Sequence, residues 1–361
     1  MQAVFSQLTY AARRPVRKAL PLLLRYLVVV AASCLLALVI SGSHAHAAVA
    51  ADRSAPGPYA IAVSESVWRD DARMRDIPVR VVAPVLPAAK ADKPGGLTPV
   101  ILFSHGLGGN REGGSVWADH WASYGYLVVQ LQHAGSDEAL WKGKSLAEIP
   151  AAMKAGMTAQ NLISRVQDVH FAIDEIVKRA QAKDGPFAAA DPARIGMSGH
   201  SFGAQTTLAV SGQSSTSARG VSGLDKRIVA SIAFSPNART KSNLDTQFGG
   251  IAKPFFSITG TKDGAILGDD TVYTDRQLPY QNMPKGDKYL VTFKDGDHMV
   301  FGGHTMRGPR PAQRDAEIRS AVKAATLAFW NSTLRNDLAA RDWLRENFKD
   351  SLQPGDAFEW K

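Results

Sequence analysis

The chain has 361 residues, a net charge of +9 and 45% hydrophobic residues, an ordinary apolar share for a globular protein and enough for a sizeable core. Five of the basic residues, Arg13, Arg14, Arg17, Lys18 and Arg25, precede residue 48 in a stretch without Asp or Glu. Removing them leaves +4 of the +9, spread without a basic block, which argues against a nucleic-acid-binding face.

The N-terminus reads as an export signal. A basic segment from Arg13 to Lys18 leads into the apolar run Leu27–Ile40 and then Ala45-His46-Ala47, a small-x-small cleavage pattern. This makes 1–47 a signal peptide cleaved after Ala47 and the mature protein periplasmic or extracellular. An uncleaved membrane anchor is the alternative, although the run is short for a bilayer-crossing helix. Cys34, the single cysteine, lies inside the apolar run, so the mature chain has no disulfide. Residues 48–55 read as a linker of small residues, and 56–361 as one catalytic domain.

Beyond the linker, strand-like and helix-like segments alternate. Tyr59–Val67 and Ile77–Val85 have the pattern of opening antiparallel strands, whereas Val100–Phe103 and Tyr126–Leu131 are short apolar runs suited to buried parallel strands. Asn161–Arg179 carries a helical apolar stripe. The strands Arg194–Met197, Ile228–Phe234, Pro254–Thr259 and Tyr289–Phe293 follow, and a helix near Ala316–Asn331 closes the series. Such alternation predicts an α/β fold with a mostly parallel central sheet flanked by helices.

The chemistry concentrates at strand ends. Gly199-His200-Ser201-Phe202-Gly203 is a G-x-S-x-G pentapeptide between a strand and a helix-compatible segment, the setting of a nucleophile elbow. A serine hydroxyl needs a base and two donors for the oxyanion of its tetrahedral intermediate. The Phe202 N–H follows the nucleophile and is one donor; the turn Ser104-His105-Gly106-Leu107-Gly108-Gly109 supplies the Leu107 N–H as the other. His105 and His200 stand beside these elements and read as braces. With the order Ser, acid, His, the base is His298, on the loop leaving Tyr289–Phe293, with His304 the lesser candidate. The acid is Asp263, in the turn after Pro254–Thr259, and its task is to fix the His298 tautomer. Asp295 and Asp297 read as turn residues. No ligand spacing supports a cation at Asp269 and Asp270, and no metal or other cofactor is expected.

Phe103-Ser104-His105-Gly106-Leu107-Gly108 together with the Ser201 pentapeptide resembles the plasma-type platelet-activating-factor acetylhydrolases and their bacterial dienelactone-hydrolase-like relatives, from Asp76 to His298. The resemblance implies the α/β-hydrolase fold, cofactor-free hydrolysis of short or truncated acyl esters, and Leu107 and Phe202 as oxyanion donors. It also implies an acid just after the strand Ile228–Phe234. This sequence has Ser235-Pro236 there, with no carboxylate before Asp245, which places the acid one strand later at Asp263.

The segment between Leu131 and Asn161 is the longest insertion at this edge and reads as a small flap. His133, Trp141, Met153 and Met157 are its candidate substrate contacts, the methionines on one face of a short helix within Leu146–Met157. Ordinary packing on the core is the alternative for that helix, and Trp117 and Trp121 read as core. The partner is a small-molecule or lipid-like ester, with contact to a membrane only through an uncleaved anchor. A transacylase or peptidase on the same triad, or a silent α/β-hydrolase used as a binding module, remain the other readings.

Overall fold

The structure is a computed structural model that describes residues 52–87, 97–214, 223–238, 240–265, 270–303 and 312–361. The expected signal peptide, the first half of the expected linker (48–51), His304 and Asp269 lie outside the described residues. Arg53–Lys361 form one compact unit. The end of the expected linker is held against it: the Arg53 guanidinium lies over the Trp343 ring at 4.5 Å, and the Tyr124 hydroxyl donates to the Ala55 carbonyl. Among the described residues no helix is long and apolar enough to cross a membrane.

Among those residues nine strands form one sheet, in the order β1-β2-β4-β3-β5-β6-β7-β8-β9. They are β1 (Ile61–Asp70), β2 (Arg75–Pro84), β3 (Thr98–Ser104), β4 (Leu127–Leu131), β5 (Ala190–His200), β6 (Ile228–Phe234), β7 (Phe255–Lys262), β8 (Lys288–Asp297) and β9 (Ala357–Trp360). From β4 through β8 the neighbours run parallel; β1, β2 and β9 add antiparallel edges. β3 and β4 are buried throughout, because parallel strands covered on both faces need apolar residues at every position. β1, at the edge, is mostly exposed.

Helices cover both faces: α1 (Ser115–Ser123), α2 (Ile149–Gly156), α3 (Ala159–Gln181), α4 (Phe202–Val210) and α5 (Ala312–Leu334). One core cluster joins α1 and α5 to the sheet through Trp117, Trp121, Phe234, Phe256 and Trp330. A second joins α3, through Val169, Ile173 and Ile176, to β2, β3 and β5. α3 starts where the Thr158 hydroxyl accepts from the Asn161 N–H at 3.1 Å, satisfying one of the orphan donors of its first turn.

β3 lies between β4 and β5 although β4 follows it in sequence. The chain therefore leaves β3 to one side and later returns to the other, which opens a crevice beyond the carboxyl ends of β3 and β5. The turn after β3 and the turn after β5 meet there, with Ser104 opposite Gly199 in the ladder. This is the α/β-hydrolase arrangement. Two features depart from the sequence reading. β8 continues through Lys294–Asp297, where a loop was expected, because Asp297 still pairs with Lys262 after a register shift. β9 was not foreseen; it is four residues long and pairs with β8 at the sheet edge.

Trp330 holds α5 to the sheet. Its side chain is fully buried, meets Trp121 edge-on at 5.7 Å and covers Gly196, where an added Cβ would lie 2.6 Å from the Trp330 ring. Trp330→Ala should lower the unfolding free energy in urea by about 3–5 kcal/mol, the usual cost of emptying so large a site. A loss of less than about 1 kcal/mol would show that the neighbouring rings collapse into the space.

Candidate active site

Ser201 follows β5 directly, with φ 57° and ψ −114°, a conformation that costs a non-glycine residue about 1–3 kcal/mol. Its N–H donates to the Phe234 carbonyl at 3.0 Å, and its carbonyl accepts from the Gln205 N–H at 3.1 Å, starting α4. Both flanking glycines are required by close approach. A Cβ at Gly199 would lie 2.4 Å from the Gly203 carbonyl oxygen, and one at Gly203 would lie 1.9 Å from the Ser104 carbonyl oxygen. The G-x-S-x-G pattern thus records three backbones in contact, and it sets the Ser201 side chain at the positive end of α4.

Asp263 follows β7 and His298 follows β8. His298 Nδ1 lies 2.8 Å from Asp263 Oδ1, and the second carboxylate oxygen accepts from the Thr259 hydroxyl at 2.8 Å. Donation from Nδ1 leaves Nε2 with its lone pair, the tautomer a base requires. Burial pushes the His298 pKa below its ordinary value, against the opposing pull of the Asp263 carboxylate. Asp297 is an N-cap: its carboxylate accepts from the N–H groups of Met299 and Val300 and starts the one-turn helix His298–Phe301. His200 Nε2 lies 2.8 Å from the His298 carbonyl oxygen, with the two rings 4.5 Å apart, so it braces His298 from below.

Sequence reasoning missed Arg276. It is buried at the end of the short helix Tyr273–Arg276, and its Nε lies 2.7 Å from Asp263 Oδ1. The same guanidinium donates to the carbonyls of Asp263, Ser235 and Gly264. A lone Arg in a segment without periodicity gives no signal in the sequence.

Ser201, His298, Leu107 and Phe202 line one cavity of about 420 Å³, which Met153 and Met157 also line. Among the described residues the Leu107 N–H has no hydrogen-bond partner, whereas its neighbours Gly108 and Gly109 donate to Ser136 and Gly106. Trp141 does not line the cavity. Its indole N–H donates to the Gly108 carbonyl at 2.7 Å and it packs over the turn, so its role is to brace. The insertion is fixed to the turn by further bonds, from Gly108 N–H to Ser136 and from Glu138 N–H to Gly109. Asp245 is exposed on the helix Leu244–Phe248, away from the cavity.

Residues 80–181 match the family model of platelet-activating factor acetylhydrolase, isoform II. The chain is an α/β-hydrolase similar to these serine esterases. The match runs from within β2 to the end of α3; it includes the turn after β3 and the insertion and ends before Ser201. No curated protein matches the chain closely enough to count as a relative. Where the resemblance implies an acid, after β6, this α/β-hydrolase has Ser235, with φ 55° and its N–H donating to Ile258. The carboxylate that meets His298 stands one strand later.

His133 requires a correction: it is fully buried beneath the turn and cannot touch a substrate. Its Nδ1 lies 2.9 Å from Asp168 Oδ2 and its Nε2 2.8 Å from the Ser104 hydroxyl. Its backbone N–H donates to His105 Nε2. That leaves the His105 proton on Nδ1, 2.5 Å from the Gly106 carbonyl. Arg165, also buried, donates to the His105 carbonyl at 2.7 Å and to the Ser136 hydroxyl at 2.8 Å, and lies 4.5 Å over the Phe202 ring. Arg73 and Arg75 complete the shell of Asp168. The signal for this brace was present: Arg165 and Asp168 interrupt the apolar stripe of α3 three residues apart, on its buried face.

Burial pushes the His133 pKa from 6.5 down to about 4, with Arg165 adding to the effect and Asp168 opposing it. Burial alone would raise the Asp168 carboxyl, but the hydrogen bonds from His133 and Arg75 outweigh it and hold it at about 2. Between pH 6.5 and 4 the unfolded chain binds a proton at His133 that the folded chain refuses, so stability falls as pH falls through that window. His133 should contribute a loss of about 2–3 kcal/mol between pH 7 and 4.5. Urea unfolding at both pH values should therefore show a smaller loss in His133→Gln than in the wild type. An equal loss in the two proteins would mean that His133 is not held neutral.

Proposed function

We propose that this chain is an exported serine carboxylic-ester hydrolase that works through an acyl-enzyme on Ser201. The observation that carries the reading is the shared cavity: the serine on its strained elbow and the imidazole held by Asp263 line the same wall. In this account His298 Nε2 takes the Ser201 proton as Oγ attacks the ester carbonyl. The N–H groups of Leu107 and Phe202 receive the oxyanion, the term that usually contributes most to the rate. Collapse of the intermediate expels the alcohol, which His298 protonates, and water then releases the acid by the reverse sequence.

The roles of Asp263 and Arg276 differ. Asp263 fixes the imidazole and stabilises its charged form, while Arg276 holds Asp263 through an ion pair at 2.7 Å and a bond to its backbone carbonyl. The cavity of about 420 Å³ supports short or truncated acyl groups, and Leu107, Met153 and Met157 give it an adaptable apolar wall. Export rests on the basic segment, apolar run and Ala45-His46-Ala47 of the N-terminus. The partner is a small-molecule or lipid-like ester, with no role for nucleic acid.

Steady-state hydrolysis of nitrophenyl esters tests the assignment. Ser201→Ala should abolish turnover with the circular dichroism spectrum unchanged. Asp263→Asn should lower kcat by roughly 10³–10⁴, because the amide presents the wrong tautomer of His298 to the serine. Asp245→Asn should leave the rate within a few-fold. A Ser201→Ala protein that keeps more than a few per cent of wild-type turnover, or a crippled Asp245→Asn beside an active Asp263→Asn, contradicts the assignment.

A further inference from the structure

The cavity has two unlike halves. In the sheet, β5 lies between β3 and β6, so the turn after β3 stands on one side of Ser201 and the residues after β6 on the other. The β3 side is apolar, with Leu107 and with Met153 packed on Gly108. The β6 side is lined by Gln205, Ser235 and Asn237 beside Arg276.

Three polar atoms on that side are buried and have no hydrogen-bond partner among the described residues: Gln205 Oε1, Ser235 Oγ and Asn237 Oδ1. Gln205 and Ser235 are each more than nine-tenths buried. The Gln205 amide cannot be turned over to relieve this, because its Nε2 donates to the Asn237 carbonyl at 2.7 Å. Folding does not leave such atoms unpaired without cost, and a cluster of them facing one cavity calls for a partner that enters it.

The chemistry of that partner follows from the atoms. Two amide oxygens only accept, so the ligand must donate. A carboxylate or phosphate would face those oxygens, and the Arg276 guanidinium that could attract it already donates to Ser235, Asp263 and Gly264. An ammonium group would donate, but no carboxylate among the described residues lines the cavity to neutralise it, and Asp263 is already engaged by Arg276 and His298. A neutral hydroxyl donates to an amide oxygen and can also accept from Ser235.

We propose that Gln205, Ser235 and Asn237 form a subsite for a hydroxyl-bearing portion of the substrate, with the apolar portion on the Leu107 and Met153 side. The subsite rests on the ester-hydrolase reading for its reaction and on the unpaired atoms for its chemistry. It makes the enzyme selective for hydroxylated esters, because a site built to bond a hydroxyl leaves its own polar atoms unpaired with an analogue that lacks one.

Two ester pairs test this and distinguish the acyl from the alcohol side: nitrophenyl butyrate against nitrophenyl 3-hydroxybutyrate, and ethyl butyrate against glycerol monobutyrate. The wild type should favour the hydroxylated member of at least one pair by roughly tenfold or more in kcat/KM. Gln205→Leu and Ser235→Ala should each bring that ratio to within about threefold of unity, circular dichroism confirming the fold, and either variant suffices if the other does not fold. The same pairs bound to Ser201→Ala, by calorimetry, separate the subsite from the reaction. Preference in binding without turnover of any ester keeps the subsite and removes the hydrolase reading. Ratios near unity in both pairs, or a preference that both variants retain, overturn the subsite and leave water as the partner of those atoms.

Discussion

The contact between Gly203 and the Ser104 carbonyl is the constraint on which the site depends. With no side chain at 203, the start of α4 presses directly on the end of β3. That approach fixes the distance between Ser201 and the turn after β3, because Ser201 and Leu107 are each anchored within a few residues of the contact. It also explains how a serine with φ 57° is held: the backbone bonds of Ser201 to Phe234 and Gln205 and the Ser198 hydroxyl bond to Leu102 tie the elbow to both neighbouring strands. The strain at Ser201 is offset by pairing in the sheet on either side of it.

Beneath the turn, a second Ser–His–Asp array has a different use. Ser104, His133 and Asp168 have the same partner types as a catalytic triad, but all three are buried. Their bonds position backbone instead: His133 holds His105, and Arg165 crosses the same space to reach the His105 carbonyl and the Phe202 ring. The proposed oxyanion hole would need rigid donors, and this buried network holds the turn after β3 from one side while Trp141 bonds its Gly108 carbonyl. The proposed catalytic array differs from this one in position: Ser201 and His298 line the cavity, whereas Ser104, His133 and Asp168 are fully buried.

Much of this was legible in the sequence for local reasons. The elbow was readable because backbone strain and contact demand glycine at fixed offsets, and Asp263 and His298 because each follows an apolar strand within a few residues. Alternation of strands and helices predicts the mostly parallel sheet, whereas the strand order, and with it the meeting of the two turns, is seen only in the structure. His133 was misread because it leaves a strand at the active-site edge, and position along the chain does not tell which face of a turn a side chain takes. Arg276 and the Gln205, Ser235 and Asn237 cluster were invisible, since they converge only when separate loops pack together. β9 was missed because four residues carry too little periodicity to distinguish a strand from a tail.

The central claim is that Ser201, and not one of the other serines near the cavity, is the reactive nucleophile. Reaction with a fluorophosphonate followed by peptide mass mapping tests it most directly, because phosphonylation captures only a serine activated by its base. The account predicts one adduct per chain, on the peptide that carries Ser201, and loss of that adduct in His298→Ala. An adduct on Ser104 or Ser235, or unchanged labelling of Ser201 without His298, would contradict it.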